Sequence, residues 1–174
     1  MKKVIFILLS STVFFSCLTD INNPEKPLSK NLYFSSFENG DCIKGWYGIF
    51  EGNLVDDPAP GGGSKSVFLG GGCGQPTAYI DLISQHEDSY YKLKFWAKVQ
   101  QASQKGWIEL LVSHDLDSKK KICIFAQGAE WTEYESDELL FCPAESELEL
   151  RVHIGGIIYA SMNIDRLTIE RVEK

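Results

Sequence analysis

Histidine is scarce in this sequence, with three among 174 residues. A site built on several imidazoles, for zinc or for acid–base catalysis, has little material to draw on. The chain also has no C-x-x-C pair, no H-E-x-x-H and no G-x-S-x-G, so the common zinc, metalloprotease and serine-hydrolase signatures are absent. Positive charge is thin. The formal net charge is −7 and no basic cluster exceeds the lysine run 119–121, which argues against nucleic acid as a partner. Beyond residue 15 no apolar run is long enough to cross a bilayer as a helix. No window carries an i, i+3, i+4 apolar pattern of helical length. The glycine-rich segments 57–64 and 70–76 lack the Gly-Lys-Ser/Thr and the helix that a phosphate-cradling loop needs, and they read as turns.

The first sixteen residues have a different character. Lys2 and Lys3 precede an apolar run over 4–9, which resumes at 13–15. The stretch is too short to span a membrane and reads as a secretory signal over 1–16. The Ser16-Cys17 pair that follows resembles the lipobox of bacterial lipoproteins, although Phe14 stands where that pattern usually has Leu. The resemblance implies a lipid anchor on Cys17, which becomes the first residue after cleavage, and a place in the bacterial cell envelope, expected at the outer membrane. The segment after Cys17 has no acidic run of the surface-export type, so the facing side stays open. Residues 17–30, with two prolines and no periodicity, read as a flexible tether. One domain is expected over 31–174, and a mature chain of about 158 residues is enough for a proper core. Taking off Lys2 and Lys3 brings the net charge to −9.

Four cysteines remain after Cys17: Cys42, Cys73, Cys123 and Cys142. An even number in an exported chain points to disulfides rather than a metal site. Of the three pairings, Cys42–Cys73 and Cys123–Cys142 join near neighbours and are the expected ones.

Short β-branched or aromatic runs recur through the domain, separated by Gly, Pro, Asp or Ser clusters. They predict strands near 31–38, 46–51, 65–70, 77–83, 90–99, 107–114, 120–127, 132–142, 147–154 and 160–172, hence an all-β sandwich or barrel. Three strands alternate sharply. Tyr91, Leu93, Phe95, Ala97 and Val99 share one face, against Lys92, Lys94, Trp96 and Lys98 on the other. Ile108, Leu110 and Val112 oppose Trp107, Glu109 and Leu111, and Leu148, Leu150, Val152 and Ile154 oppose Glu147, Glu149, Arg151 and His153. Each strand therefore has one face for a core and one for solvent.

Five segments in order carry a family resemblance. They are Ser36-Phe37-Glu38-Asn39 with Gly45-Trp46, then Gly63-Ser64-Lys65-Ser66-Val67-Phe68-Leu69, and Tyr91-Lys92-Leu93-Lys94-Phe95-Trp96-Ala97-Lys98. Trp131-Thr132-Glu133-Tyr134 and Ile164-Asp165-Arg166-Leu167-Thr168-Ile169 complete the set. Over 33–171 the chain resembles the carbohydrate-binding modules of families 4, 9 and 22 and the wider galactose-binding-like sandwiches. The resemblance implies a jelly-roll β-sandwich of two antiparallel sheets. It also implies a structural calcium ion tying the first strand to the last, with Glu38 and Asp165 as the carboxylates and the turn at Gly63 to Lys65 offering carbonyl oxygens. Hard oxygen ligands of this kind suit calcium; the alternative is that both carboxylates only accept hydrogen bonds from loop amides.

In such a sandwich the strands near 77–83, 107–114 and 147–154 would form the concave sheet. Their outward residues are Tyr79 and Asp81, Trp107 and Glu109, and Arg151 and His153. Aromatic rings stack on the apolar faces of sugar rings, and the charged and imidazole groups bond hydroxyls, so this mixture suits an oligo- or polysaccharide. Trp96 is expected on the opposite, convex surface, and Trp46 and Trp131 in the core. Carboxylates are plentiful, but no nucleophile–base motif accompanies them, and the expected role is non-catalytic binding of a glycan. The competing reading is a structural or protein-interaction lipoprotein that has the fold and no sugar site.

Overall fold

The computed structural model describes residues 29–70, 77–100, 105–113, 120–155 and 160–173. The expected signal segment, Cys17, Cys73 and nearly all of the expected tether lie outside the described residues. The last two tether residues are already tied to the domain: the Gln85 amide donates to Ser29 O at 2.6 Å, and Lys30 pairs with Glu170 at 2.9 Å.

Eleven strands are described: β1 (Asn31–Ser35), β2 (Leu54–Val55), β3 (Ser66–Gly70), β4 (Ala78–Ile83), β5 (Ser89–Val99), β6 (Lys105–Val112), β7 (Lys121–Ala126), β8 (Thr132–Glu135), β9 (Leu140–Cys142), β10 (Glu147–Gly155) and β11 (Ser161–Val172). They form two antiparallel sheets. One runs β2-β3-β11-β5-β8, with β1 also on β11 and β9 also on β5; the other runs β4-β10-β6-β7. This is the jelly-roll sandwich that the strand pattern and the motif order imply.

The core follows from the alternation. Tyr91, Leu93, Phe95, Ala97 and Val99 of β5 are all fully buried. They face Ile108 and Leu110 of β6 and Leu148, Leu150 and Val152 of β10, which are also fully buried. Burial of such side chains is the main favourable contribution to folding, at about 1.5–3 kcal/mol each.

β11 needs one irregularity to serve both β3 and β1. Its register on β5 shifts between Asp165 and Thr168, and Arg166 there adopts φ +49°. A bulge of this kind bends a strand and re-aims its side chains. Met162 and Ile164 point into the core before it, Leu167 and Ile169 after it, and Asp165 is buried on the outer side.

Three sequence expectations are corrected. Residues 46–51 do not form a strand. Gly45 and Gly48 adopt positive φ (+87° and +81°), only Tyr47 bridges to Tyr79, and a 3-10 turn follows at Glu51–Asn53. The expected strand 132–142 is two, because Ser136 turns inward, donating its N–H to Leu93 O and accepting Leu93 N–H on its hydroxyl. Trp131 is not core. It is half-buried, with the Lys98 ammonium 5.1 Å from its ring centre. Trp46 is buried as expected, and its indole N–H donates to Tyr33 Oη at 2.7 Å.

The Cys123–Cys142 disulfide is also corrected: both are free thiols. Cys142 points into the core from β9 in one sheet, whereas Cys123 sits on the outward face of β7 in the other, between exposed Lys121 and Phe125. Side chains leaving two packed sheets in these directions cannot be bridged without moving a strand. Cys42 is buried, and its expected partner Cys73 is not among the described residues. Burial pushes the Cys142 thiol up to about 12, and the thiolate is the reactive form. A maleimide added to the folded protein is expected to label Cys142 only after denaturant is added, as read by peptide mass spectrometry.

Candidate functional site

The solvent face of the four-stranded sheet collects all six residues expected there. In β10, Arg151 sits between Tyr79 of β4 and Glu109 of β6, and His153 lies directly opposite Trp107. Asp81 is one rung away, paired with Glu149. The register brings them together because all occupy the outward phase of strands whose inward phase is core.

Two aromatic clusters mark the ends of this face. On β4, Tyr79 stacks on Tyr47, with ring centres 4.6 Å apart and planes within 13°. At the β6–β7 side, Trp107 stacks on His153 at 4.8 Å and 6°, and meets Phe125 of β7 at 5.9 Å. Tyr47 and Phe125 are more than half exposed, at 56% and 59%. Trp107 is half-buried and its ring passes over Gly155, where an added Cβ would come within 2.8 Å of it. Three inter-strand steps separate β4 from β7, about 14 Å.

Polar groups fill the middle. Arg151 is held flat along its strand by a two-pronged pair with Glu149, Nε–Oε1 at 2.5 Å and Nη2–Oε2 at 2.8 Å. Glu109 accepts from Lys121 Nζ at 3.1 Å and lies 3.2 Å from His153 Nε2. Burial alone would raise the Glu109 pKa, but Lys121 and His153 outweigh it and hold the carboxyl below its usual range. His153 is 6% exposed. Burial lowers its pKa more than Glu109 raises it, so the ring is neutral at pH 7. Its approach to Glu109 is not aligned for a hydrogen bond, and both ring nitrogens lack a hydrogen-bond partner. His153 therefore serves Trp107 as a flat neighbour more than it faces solvent.

Sequence reasoning missed Tyr47, Phe125 and Glu149. Tyr47 lies in a segment misread as a strand, and Phe125 lies on β7, whose alternation is blurred by Ile122-Cys123-Ile124. Glu149 was legible as an outward residue of β10, and only its grip on Arg151 gives it a role. Trp96 faces away on the other sheet, opposite Asp165 and Glu133.

The expected calcium ligands meet at a different place, the outer side of the seven-stranded sheet. Glu38 accepts from Ser64 N at 3.0 Å, Ser64 Oγ at 2.8 Å and Lys65 N at 3.4 Å. Asp165 accepts from Ala59 N at 2.9 Å and Arg166 N at 2.7 Å. The two carboxylates press on adjacent glycines: a Cβ on Gly62 would lie 2.1 Å from Asp165 Oδ2, and one on Gly63 2.3 Å from Glu38 Oε1. Toward Glu38 the turn presents N–H groups instead of the expected carbonyls. Asp165 has no exposed surface, and its pKa is pushed up to about 6, first by burial and further by the charge of Glu38. Two hard-oxygen groups with unbalanced negative charge are chemically suited to a divalent cation, although no cluster of three or more acidic, Cys or His residues occurs among the described residues.

No family model matches the chain and no curated protein matches it. Solved structures do. The CBM22-1 xylan-binding domain of Paenibacillus barcinonensis Xyn10C superposes with a TM-score of 0.58 at 15% identity, covering 83% of this chain and 96% of that one. The C-terminal family 22 carbohydrate-binding module of Clostridium thermocellum Xyn10B gives a TM-score of 0.54 at 12% identity over 84% and 97%. TmCBM61, solved with β-1,4-galactotriose, gives 0.53 at 12% identity over 83% and 100%. At these identities the likeness is one of fold, and the chain has the β-sandwich fold of carbohydrate-binding modules.

Proposed function

We propose that the domain binds an oligo- or polysaccharide without cleaving it. The observation that carries this reading is the solvent face of the four-stranded sheet, where Tyr47–Tyr79 and Trp107–Phe125 flank Arg151, Asp81 and Glu109. The C–H groups on the flat face of a sugar ring meet the negative faces of aromatic rings, and the charged groups between them bond hydroxyls. The solved modules of the same fold, one xylan-binding and one holding a galactotriose, add support. A binding role fits better than hydrolysis, because Glu109 and Glu149 each commit their charge to a neighbouring cation, whereas a glycosidase needs one carboxyl free to give a proton. The test is a glycan-array screen of the intact chain in mild detergent, with and without calcium. Reproducible binding to one polysaccharide class supports the reading, and a folded protein that retains nothing rejects it. Tyr47→Ala is expected to weaken the captured glycan about threefold to tenfold by removing the stacking partner of Tyr79, measured by titration calorimetry.

The reading extends to the anchor and the ion. Cys17 carries a diacylglyceryl group that holds the domain at the bacterial envelope, at the outer membrane. Cys17→Ser is expected to move the protein from the membrane to the soluble fraction, checked by fractionation and intact mass. The clasp formed by Glu38 and Asp165 takes calcium, which would compensate the burial of the Asp165 carboxylate and its repulsion from Glu38.

A further inference from the structure

The four-stranded sheet has β4 and β7 as its edges. At the β4 edge, Tyr47 exchanges N–H and C=O with Tyr79 at 2.8 and 3.0 Å, a single isolated bridge. At the β7 edge, parity decides which backbone groups are free. Val112 N donates to Lys120 O, and Ser113 N to Glu147 O on the other side. Even-numbered residues of β6 therefore bond β7 and odd-numbered ones bond β10. It follows that Ile122, Ile124 and Ala126 use their backbone groups toward β6, while those of Lys121, Cys123 and Phe125 point outward from the sheet. The next odd residue, Gln127, shows what that edge accepts. Its N–H donates to Tyr134 Oη at 3.0 Å, and its C=O accepts from the same hydroxyl at 2.8 Å.

Below that tyrosine the edge opens into a cleft of about 500 Å3, lined by Lys121 to Phe125 on one side and Glu135, Ser136, Asp137 and Glu138 on the other. That size is typical of ligand sites. Ser136 fixes the far wall to the seven-stranded sheet through Leu93. Lys92 and Lys94 answer Glu135, but Asp137 and Glu138 pair with no cation among the described residues. Lys121 turns its ammonium to Glu109, on the platform. The cleft therefore offers a row of strand donors and acceptors, unpaired among the described residues, facing an acidic wall.

We propose that the β7 edge is a docking site for an extended, basic segment of a partner protein, which adds as a fifth strand to the four-stranded sheet. Backbone bonds to Lys121, Cys123 and Phe125 would supply affinity, and Lys or Arg at alternate guest positions would face Asp137 and Glu138. A wall on the far side suits a single strand and not the sheet of a second copy, which brings its own neighbouring strand.

The probe is a fluorescein-labelled heptapeptide alternating Lys with Val, titrated into the intact chain in mild detergent and read by anisotropy. Saturable binding is expected, at least tenfold weaker for the Glu-for-Lys peptide and for a peptide N-methylated at alternate residues. Cys123→Pro removes one outward N–H and uses a residue that edge strands tolerate. It should cost at least tenfold, as should Asp137→Lys with Glu138→Lys, which leaves the strand untouched. Binding should survive Trp107→Ala, which separates this site from the sugar platform. No saturation, equal binding of the N-methylated peptide, or dimers in sedimentation that Cys123→Pro dissociates would each overturn the proposal, the last by placing a second copy at the edge.

Discussion

Trp107→Ala is expected to weaken glycan binding at least thirtyfold, corresponding to about 2 kcal/mol, while lowering the melting temperature by only a few degrees. The ring is the largest flat surface on the platform, and three things fix its plane: His153 parallel to it, Phe125 beside it, and the space over Gly155. A ring held in place loses little conformational freedom when a sugar stacks on it, so its area converts efficiently into affinity. The fold depends on it less, because Trp107 lies outside the core between the sheets. Calorimetric titration of the glycan, with thermal melts of the same samples, measures both. Unchanged affinity would remove Trp107 from the platform. A collapse in stability would make it structural, and either of these two outcomes fits the structural or protein-interaction reading. His153→Ala is expected to produce a milder loss by the same route, since it removes the parallel neighbour and leaves the stacking ring.

The second large effect is a coupling of stability to pH and calcium at Asp165. Its pKa rises from 3.8 to about 6 in the folded protein. The folded state therefore holds the proton more tightly than the unfolded chain, and the resulting stabilisation is fully present below pH 3.8. It is lost as pH rises through about 6, where the folded protein must accept a buried charge. The difference amounts to roughly 3 kcal/mol at most. In chelator, the contribution of this group makes the domain less stable at pH 7 than at pH 5. Calcium should reverse that at pH 7, raising the melting temperature, and the gain should shrink as protons compete below pH 6. Glu38→Gln should abolish the calcium gain and shrink the pH dependence only in part, because burial is the largest cause of the shift and the Glu38 charge a smaller one. Scanning calorimetry in chelator and in excess calcium tests both parts. No calcium effect at pH 7 would leave the clasp as a hydrogen-bonded junction of Glu38 with Ser64 and Lys65, and of Asp165 with Ala59.

Much of this domain is legible in its sequence. Period-two alternation in 91–99, 107–112 and 147–154 separated core from surface residue by residue, because a strand has only two faces and one must be dry. The same arithmetic put Tyr79, Asp81, Trp107, Glu109, Arg151 and His153 on a common outward phase, and antiparallel pairing made that phase one surface. The order of short motifs implied the jelly roll. Local sequence failed where backbone geometry is set by distant contacts. Glycines at positive φ ended the supposed strand at 46–51, and a single serine hydroxyl split 132–142.

The sequence by itself thus determined the fold class, the core and the membership of one sheet face, since these depend on the alternation of side chains along each strand. Only the tertiary structure decided which of those side chains are functional neighbours. It stacked Tyr47 on Tyr79, turned His153 into a support for Trp107, bound Arg151 to Glu149 and sent Cys123 and Cys142 to different sheets. It also set the outward backbone groups of β7 opposite the acidic wall of Glu135, Asp137 and Glu138. Each of these depends on strand order and register between residues far apart in the chain, and alternation along a single strand carries no information about which strand lies beside it.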